Sequence, residues 1–190
     1  MNHELHITGD AVADELLSDD PLALLIGMLL DQQVPMETAF AGPVKLRDRL
    51  GHLDAAKIAA HDPEEFIEIC RASPSVHRFP GSMAGRIQSL SAAVAGEWNG
   101  DAAAIWTRGD PDGAEILRRL EALPGFGSQK ARIFLALLGK RYGVDAAGWR
   151  EAADPYGEQG SYRSVADIVD PASLGRVREF KKAQKAAAKN

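Results

Sequence analysis

The sequence has one cysteine, Cys70, in 190 residues. That excludes an intramolecular disulfide, a cysteine-ligated iron–sulfur cluster and a four-cysteine zinc site. Histidine is nearly as scarce. Of five, only His3 and His6 lie close together, in a terminus expected to be mobile, and His52, His61 and His77 show no metal-ligand spacing. These side chains therefore predict no cofactor. No apolar run reaches the roughly 18–20 residues that cross a bilayer. Residues 12–17 are too few and too acidic for a signal peptide, so a cytoplasmic location is expected.

Positive charge is also in deficit, with 22 Lys and Arg against 27 Asp and Glu and a net charge of −5. A polyanionic partner would ordinarily be disfavoured by that balance. Its distribution changes the argument. From residue 172 onward there are six basic residues (Arg176, Arg178, Lys181, Lys182, Lys185, Lys189) and one acid, Glu179. That segment carries +5 and the rest of the chain −10, an asymmetry that suits either a basic arm or a solvated helix end. We divide the chain accordingly into a body over residues 1–171 and a basic helix or tail over 172–190.

Apolar residues make up 45 % of the chain, enough to bury a core in one large domain or two small lobes. The pattern predicts helices and almost no strands. Residues 22–30 are nearly all apolar, with Asp20 as cap and Pro21 in the first turn, which reads as a helix buried on every side. Residues 37–50 read as an amphipathic helix bent at Gly42-Pro43. Short helices follow over 54–60 and 63–70, and a two-proline loop over 73–81. Longer helices are expected over 83–98, 110–122, 128–140 and 170–189.

The most informative stretch joins two of these helices: Leu123-Pro124-Gly125-Phe126-Gly127-Ser128-Gln129-Lys130-Ala131. Proline and two glycines one residue apart make a tight hairpin. Gly127 is free to take positive φ, and neither glycine holds a ligand off the backbone. The second helix opens with unpaired N–H groups facing that hairpin, which suits a phosphate. Lys130 and Arg132 add charge in its first turns. The alternative is a plain turn between two core helices.

Read together, these residues resemble the HhH-GPD superfamily of base-excision DNA glycosylases over roughly residues 20–155. Leu24-Leu25-Ile26-Gly27-Met28-Leu29-Leu30-Asp31-Gln32-Gln33 is similar to the family's early buried helix. The run Gln32-Gln33-Val34 looks more like the alkylpurine branch than the endonuclease III branch. The segment from Met83 resembles the helix before the motif, and residues 123–131 resemble the family hairpin. Val144-Asp145 resembles the pair that carries the catalytic aspartate, with Trp149-Arg150 behind it. The resemblance implies an all-α, two-lobed fold that flips a damaged or mispaired base out of duplex DNA. It implies hydrolysis of the N-glycosidic bond with Asp145 stabilising the charge that develops on the sugar. Gly125, Phe126, Gly127, Ser128, Gln129 and Lys130 would contact DNA. Gln33, or less directly Gln32, would fill the gap left by the flipped base. The carbonyls of Leu123 and Gly125 would hold a monovalent cation. A monomer on double-stranded DNA, nucleoid-associated and without an iron–sulfur cluster, is what the resemblance implies.

The departures narrow the chemistry. Lyase members place a nucleophilic lysine where this chain has Gln129, and an amide cannot form a Schiff base. Lys130 is rotated from that direction by about 100°. The activity expected is therefore monofunctional, the alternative being a non-catalytic DNA-binding or structure-sensing protein on the same fold. The connection from the hairpin to Asp145 is slightly short for the endonuclease III pattern, and Ala147 stands where that pattern has histidine. Asp145 alone would read as a loop carboxylate, and Gln33 as a helix-terminal residue. Trp98, Trp106 and Trp149 are candidates for base stacking or for core, Tyr142 and Tyr156 for pocket lining. Arg78-Phe79-Pro80 reads as wedge or surface, and Arg150 as a phosphate contact or a partner for an acid.

Overall fold

The computed structural model describes residues 4–190. His3 lies outside them. No strand occurs among the described residues, which form twelve α-helices and one 3₁₀ turn. The order is α1 (Ala11–Asp19), α2 (Pro21–Leu30), α3 (Met36–Phe40), α4 (Gly42–Leu50), α5 (Ala55–Ala60), α6 (Pro63–Arg71) and α7 (Pro80–Glu97). Then come α8 (Ala104–Thr107), α9 (Gly113–Glu121), α10 (Ser128–Arg141), α11 (Trp149–Ala152), the 3₁₀ turn (Val165–Asp167) and α12 (Pro171–Ala187). The chain is all-α, as its patterning predicts.

The helix ends follow from local chemistry. The Asp20 carboxylate accepts from the Leu22 and Ala23 amides and opens α2, with Pro21 in the first turn. Asp54, Asp62, Asp112 and Asp170 do the same for α5, α6, α9 and α12. The predicted helix over 37–50 is two helices, because the chain breaks at Ala41 and restarts with Pro43 in the first turn of α4. Three helices, α1, α8 and α11, lie outside the set that the sequence pattern predicts. The last two have four residues each, too few to show a period. The N-terminal segment from residue 5 also differs from the mobile terminus that the sequence predicts. Leu5 and Ile7 are instead buried, and their amides donate to Ser18 Oγ and Asp14 Oδ1.

Helix packing falls into two groups, α1 to α7 and α8 to α12, that share one apolar core. In the first group α7 packs on α5 and α6, and α2 is surrounded by α1, α3, α4 and α7. In the second, α9 and α10 pair antiparallel and the 3₁₀ turn covers α10. Every residue of α2 from Leu22 to Leu30 is buried. Gly27 is required there, because a Cβ would meet the Phe40 ring at 2.5 Å. In the second group Trp149 lies flat on α10, where a Cβ on Gly139 would meet its indole at 2.4 Å.

The segment after α11 is held by a buried ion pair. Lys140 Nζ lies 2.6 Å from Asp167 Oδ1, with both side chains under 10 % exposed. Asp167 also accepts from the Arg163 and Ser164 amides and from Ser161 Oγ. A buried charge left without its partner costs about 3–5 kcal/mol. Lys140→Met is therefore expected to lower the urea-unfolding free energy by that order. Burial pushes the Cys70 thiol up to about 12. A thiol reagent at pH 8 is expected to label Cys70 only in denaturant, and labelling in the native protein at the denatured rate would contradict this burial.

Candidate functional site

The hairpin of residues 123–127 is a turn with Pro124 second and Gly125 third. Gly125 has φ +83°, and the Phe126 amide donates to the Leu123 carbonyl at 3.1 Å, the signature of a type II turn. The positive φ thus falls on Gly125 and not on Gly127, which is extended at φ −71°, ψ 173° and leads into α10. No side chain caps α10, so its first amides are left facing outward at the hairpin. Gly125, Gly127, Ser128 and Gln129 are exposed. Phe126 is buried, edge-on to Phe134, and so offers a ligand only its backbone.

The hairpin sits against the C-terminal end of α2. A Cβ on Gly125 would meet Leu29 Cδ1 at 2.4 Å. Lys130 Nζ donates to the Leu29 carbonyl at 3.0 Å, and Gln32 Nε2 donates to the same oxygen at 2.8 Å. Lys130 is therefore turned inward, where burial lowers its pKa. Neighbouring Arg86 and Lys181 lower it further, while Asp31 opposes the shift. Arg132, the other cation of these turns, has its Nε buried and without a hydrogen bond.

Just beyond α2 the chain bends sharply, and Gln32 and Gln33 diverge. The Gln32 side chain accepts from Arg86 at 2.9 Å and its carbonyl accepts from His77 Nε2 at 2.9 Å. The Phe79 amide donates to His77 Nδ1, which fixes the proton on Nε2. Gln33 is exposed, takes φ +60° and has no side-chain hydrogen bond among the described residues. A non-glycine residue at positive φ carries strain that its surroundings must impose. Phe79 is 41 % exposed on the same rim, under the Arg78 guanidinium. Asp31 lies 3.4 Å from Lys181, its side chain 8 % exposed.

Asp145 is elsewhere. Gly143 takes φ +71° and the Val144 amide returns to the Leu138 carbonyl, which closes the C-terminal end of α10. The Ala147 carbonyl then accepts from Gly113 at the start of α9. α10 is about 21 Å long, and two residues beyond Gly143 reach back at most about 7 Å. Asp145 is exposed at the end of the α9–α10 pair opposite the hairpin. The residue that does come back to the start of α10 is Tyr156, whose hydroxyl accepts from Gln129 Nε2 at 3.0 Å. The aromatic candidates also separate. Trp106, Trp149 and Tyr142 are buried, and the guanidiniums of Arg108 and Arg119 both lie against the Trp98 ring. Arg150 stacks on Trp149 and donates to the Gly157 carbonyl.

For a cation, the Leu123 carbonyl has one lone pair engaged by Phe126 and one left. Among the described residues no three His, Cys, Asp or Glu side chains converge as a metal site. None of the described helices is long and apolar enough to cross a membrane.

The family model of the HhH-GPD superfamily, base excision DNA repair proteins, matches residues 26–188. A comparison with curated proteins gives no match. The chain belongs to the HhH-GPD superfamily, and its all-α fold and single cysteine agree with that membership.

The two hairpin glycines should behave differently. Gly125→Ala combines positive φ with a clash on Leu29 and is expected to cost about 1–3 kcal/mol. Gly127→Ala has ordinary φ and nothing within 4 Å of its new Cβ, so stability should stay within about 0.5 kcal/mol. Urea titration of both variants checks this, and equal losses would mean that the turn is not of this type.

Proposed function

We propose that this chain binds double-stranded DNA, extrudes a damaged or mispaired base at the rim between α2 and the hairpin, and hydrolyses its N-glycosidic bond. The observation that carries the reading is the sharing of one rim. The exposed hairpin with its unpaired amides, the strained and uncommitted Gln33, and the exposed Phe79 are tied together through Leu29, Gln32 and His77. Backbone amides of Gly127, Ser128 and Gln129 would take a phosphate. Gln33 would enter the stack opposite Phe79, its amide pairing with the orphaned base. Gln32 and Lys130 would hold the rim in shape, both bonding to the Leu29 carbonyl. An alkali cation on the Leu123 and Gly125 carbonyls would stiffen the turn, since neutral carbonyl oxygens are hard donors.

The monofunctional assignment is supported by Gln129, which has no nucleophile to offer. Asp145 is the carboxylate that the resemblance assigns to hydrolysis. Its exposed position beyond α10 favours a second reading, in which the protein senses DNA distortion without turnover. It also singles out Asp31, the carboxylate that lies at the rim itself. Lys130, the neighbour of Gln129, is a poor substitute for the missing nucleophile, because its amine is turned inward onto the Leu29 carbonyl. A monomer suffices for this reading, and a nucleoid-associated place in the cytoplasm goes with it.

The test is base release from duplexes that each carry one uracil, mismatched thymine, oxidised purine or alkylated purine, with alkali to reveal abasic sites. Release kept in Asp145→Asn is the expected result, because that carboxylate lies away from the rim, and release lost there with binding kept would return the hydrolysis to Asp145. Release lost in Asp31→Asn but kept in Asp145→Asn would move the catalytic role to the rim carboxylate. Binding without release from any duplex would establish the sensing reading, and strand cleavage without alkali would overturn the monofunctional one.

A further inference from the structure

The cations of α12 divide into two sets. Arg178 pairs with Glu37, Lys181 with Asp31, and Arg176 donates to the Tyr162 hydroxyl at 2.7 Å. These tie the first half of the helix to the body, together with buried Val177. Lys182, Lys185 and Lys189 are different. All three are exposed, as is every residue from Lys182 to Asn190, and none has an ion pair or side-chain hydrogen bond among the described residues. Lys182 and Lys185, three residues apart, form a stripe on one face of α12, and Lys189 prolongs it in the turn just past the last helical residue, Ala187.

The anchor decides where that stripe lies. Lys181, one residue before it, reaches Asp31 at the C-terminal end of α2. That is the helix end which carries Gln33 and bears against the hairpin through Leu29. From there the helix continues to Ala187, about 9 Å further. A lone cationic helix end needs no partner, because water solvates it. Here, however, the stripe is fastened beside the one rim where a polyanion is expected, on a body whose remaining charge is −10.

We propose that α12 is a second phosphate clamp, in which Lys182, Lys185 and Lys189 contact the backbone of duplex DNA flanking the extruded base. This rests on the DNA-binding reading given above. The contacts are to phosphate alone, so they add affinity without reading sequence or damage. They also offset the repulsion that the acidic body exerts on incoming DNA. Arg178 and Lys181 orient the clamp and leave the stripe free, since their charges are spent on Glu37 and Asp31.

The experiment is a salt titration of duplex binding by fluorescence anisotropy, on the full chain, comparing wild type, Gly127→Ala and the triple variant Lys182→Gln, Lys185→Gln, Lys189→Gln. Each phosphate contact contributes about 0.9 to the slope of log K against log salt. The triple variant is expected to lose about 2 to 3 from that slope, equally for intact and damaged duplexes. A triple variant with the wild-type slope, while Gly127→Ala binds more weakly, would overturn the clamp and leave the hairpin reading intact. Wild-type protein that binds no duplex at low salt would overturn both. Preference of the wild-type stripe for phosphatidylglycerol vesicles over duplex would assign it to a membrane surface and overturn the clamp as well.

Discussion

The C-terminal end of α2 is the constraint on which the site depends. A helix buried on every side brings its last carbonyls, and the negative end of its dipole, into a place that water does not reach freely. The Leu29 oxygen solves this with two donors, Gln32 from its own strand of chain and Lys130 from 101 residues away. Asp31 adds a carboxylate at the same spot, which accounts for the gathering of Lys130, Lys181 and Arg86 around it. Cations collect here because the helix end and Asp31 are both negative, and they fasten the hairpin of the second group onto the central helix of the first.

That fastening explains why the rim can hold Gln33 under strain. The chain leaving α2 is held by His77 on the Gln32 carbonyl and by Arg86 on the Gln32 side-chain oxygen Oε1, and Gln33 takes positive φ as the chain passes onward to Pro35. The strained residue is also the one whose side chain is left uncommitted. At the other end of the same architecture, Gly143 stops α10 and the next turn is bonded to the start of α9. The connection is too short to bring Asp145 along α10 to the hairpin. The two features that a sequence motif presents as one unit therefore sit at opposite ends of a helix pair.

Electrostatics divides the surface in a matching way. The body is acidic, and the positive charge of α12 is partly consumed in holding that helix against Glu37 and Asp31. What remains lies close to the rim. Net charge gives the wrong impression of such a molecule, because a polyanion meets the local field within about a Debye length, roughly 8–10 Å in physiological salt, and not the sum over the chain.

Much of the fold was legible in the residues. The all-apolar run 22–30 with Asp20 and Pro21 before it, and the Leu-Pro-Gly-Phe-Gly turn, are local signals, and local chemistry decides them. The short helices α8 and α11 were not legible, because four residues carry no period. Which glycine takes positive φ was decided by the bond from Phe126 to Leu123, not by the spacing of the pair. That Lys130 faces inward, that Gln32 is bound while Gln33 is free, and that Asp145 lies away from the hairpin are facts of tertiary structure. Each depends on which carbonyl or amide a distant segment brings near, and a sequence determines its local conformations long before it shows which of them will meet.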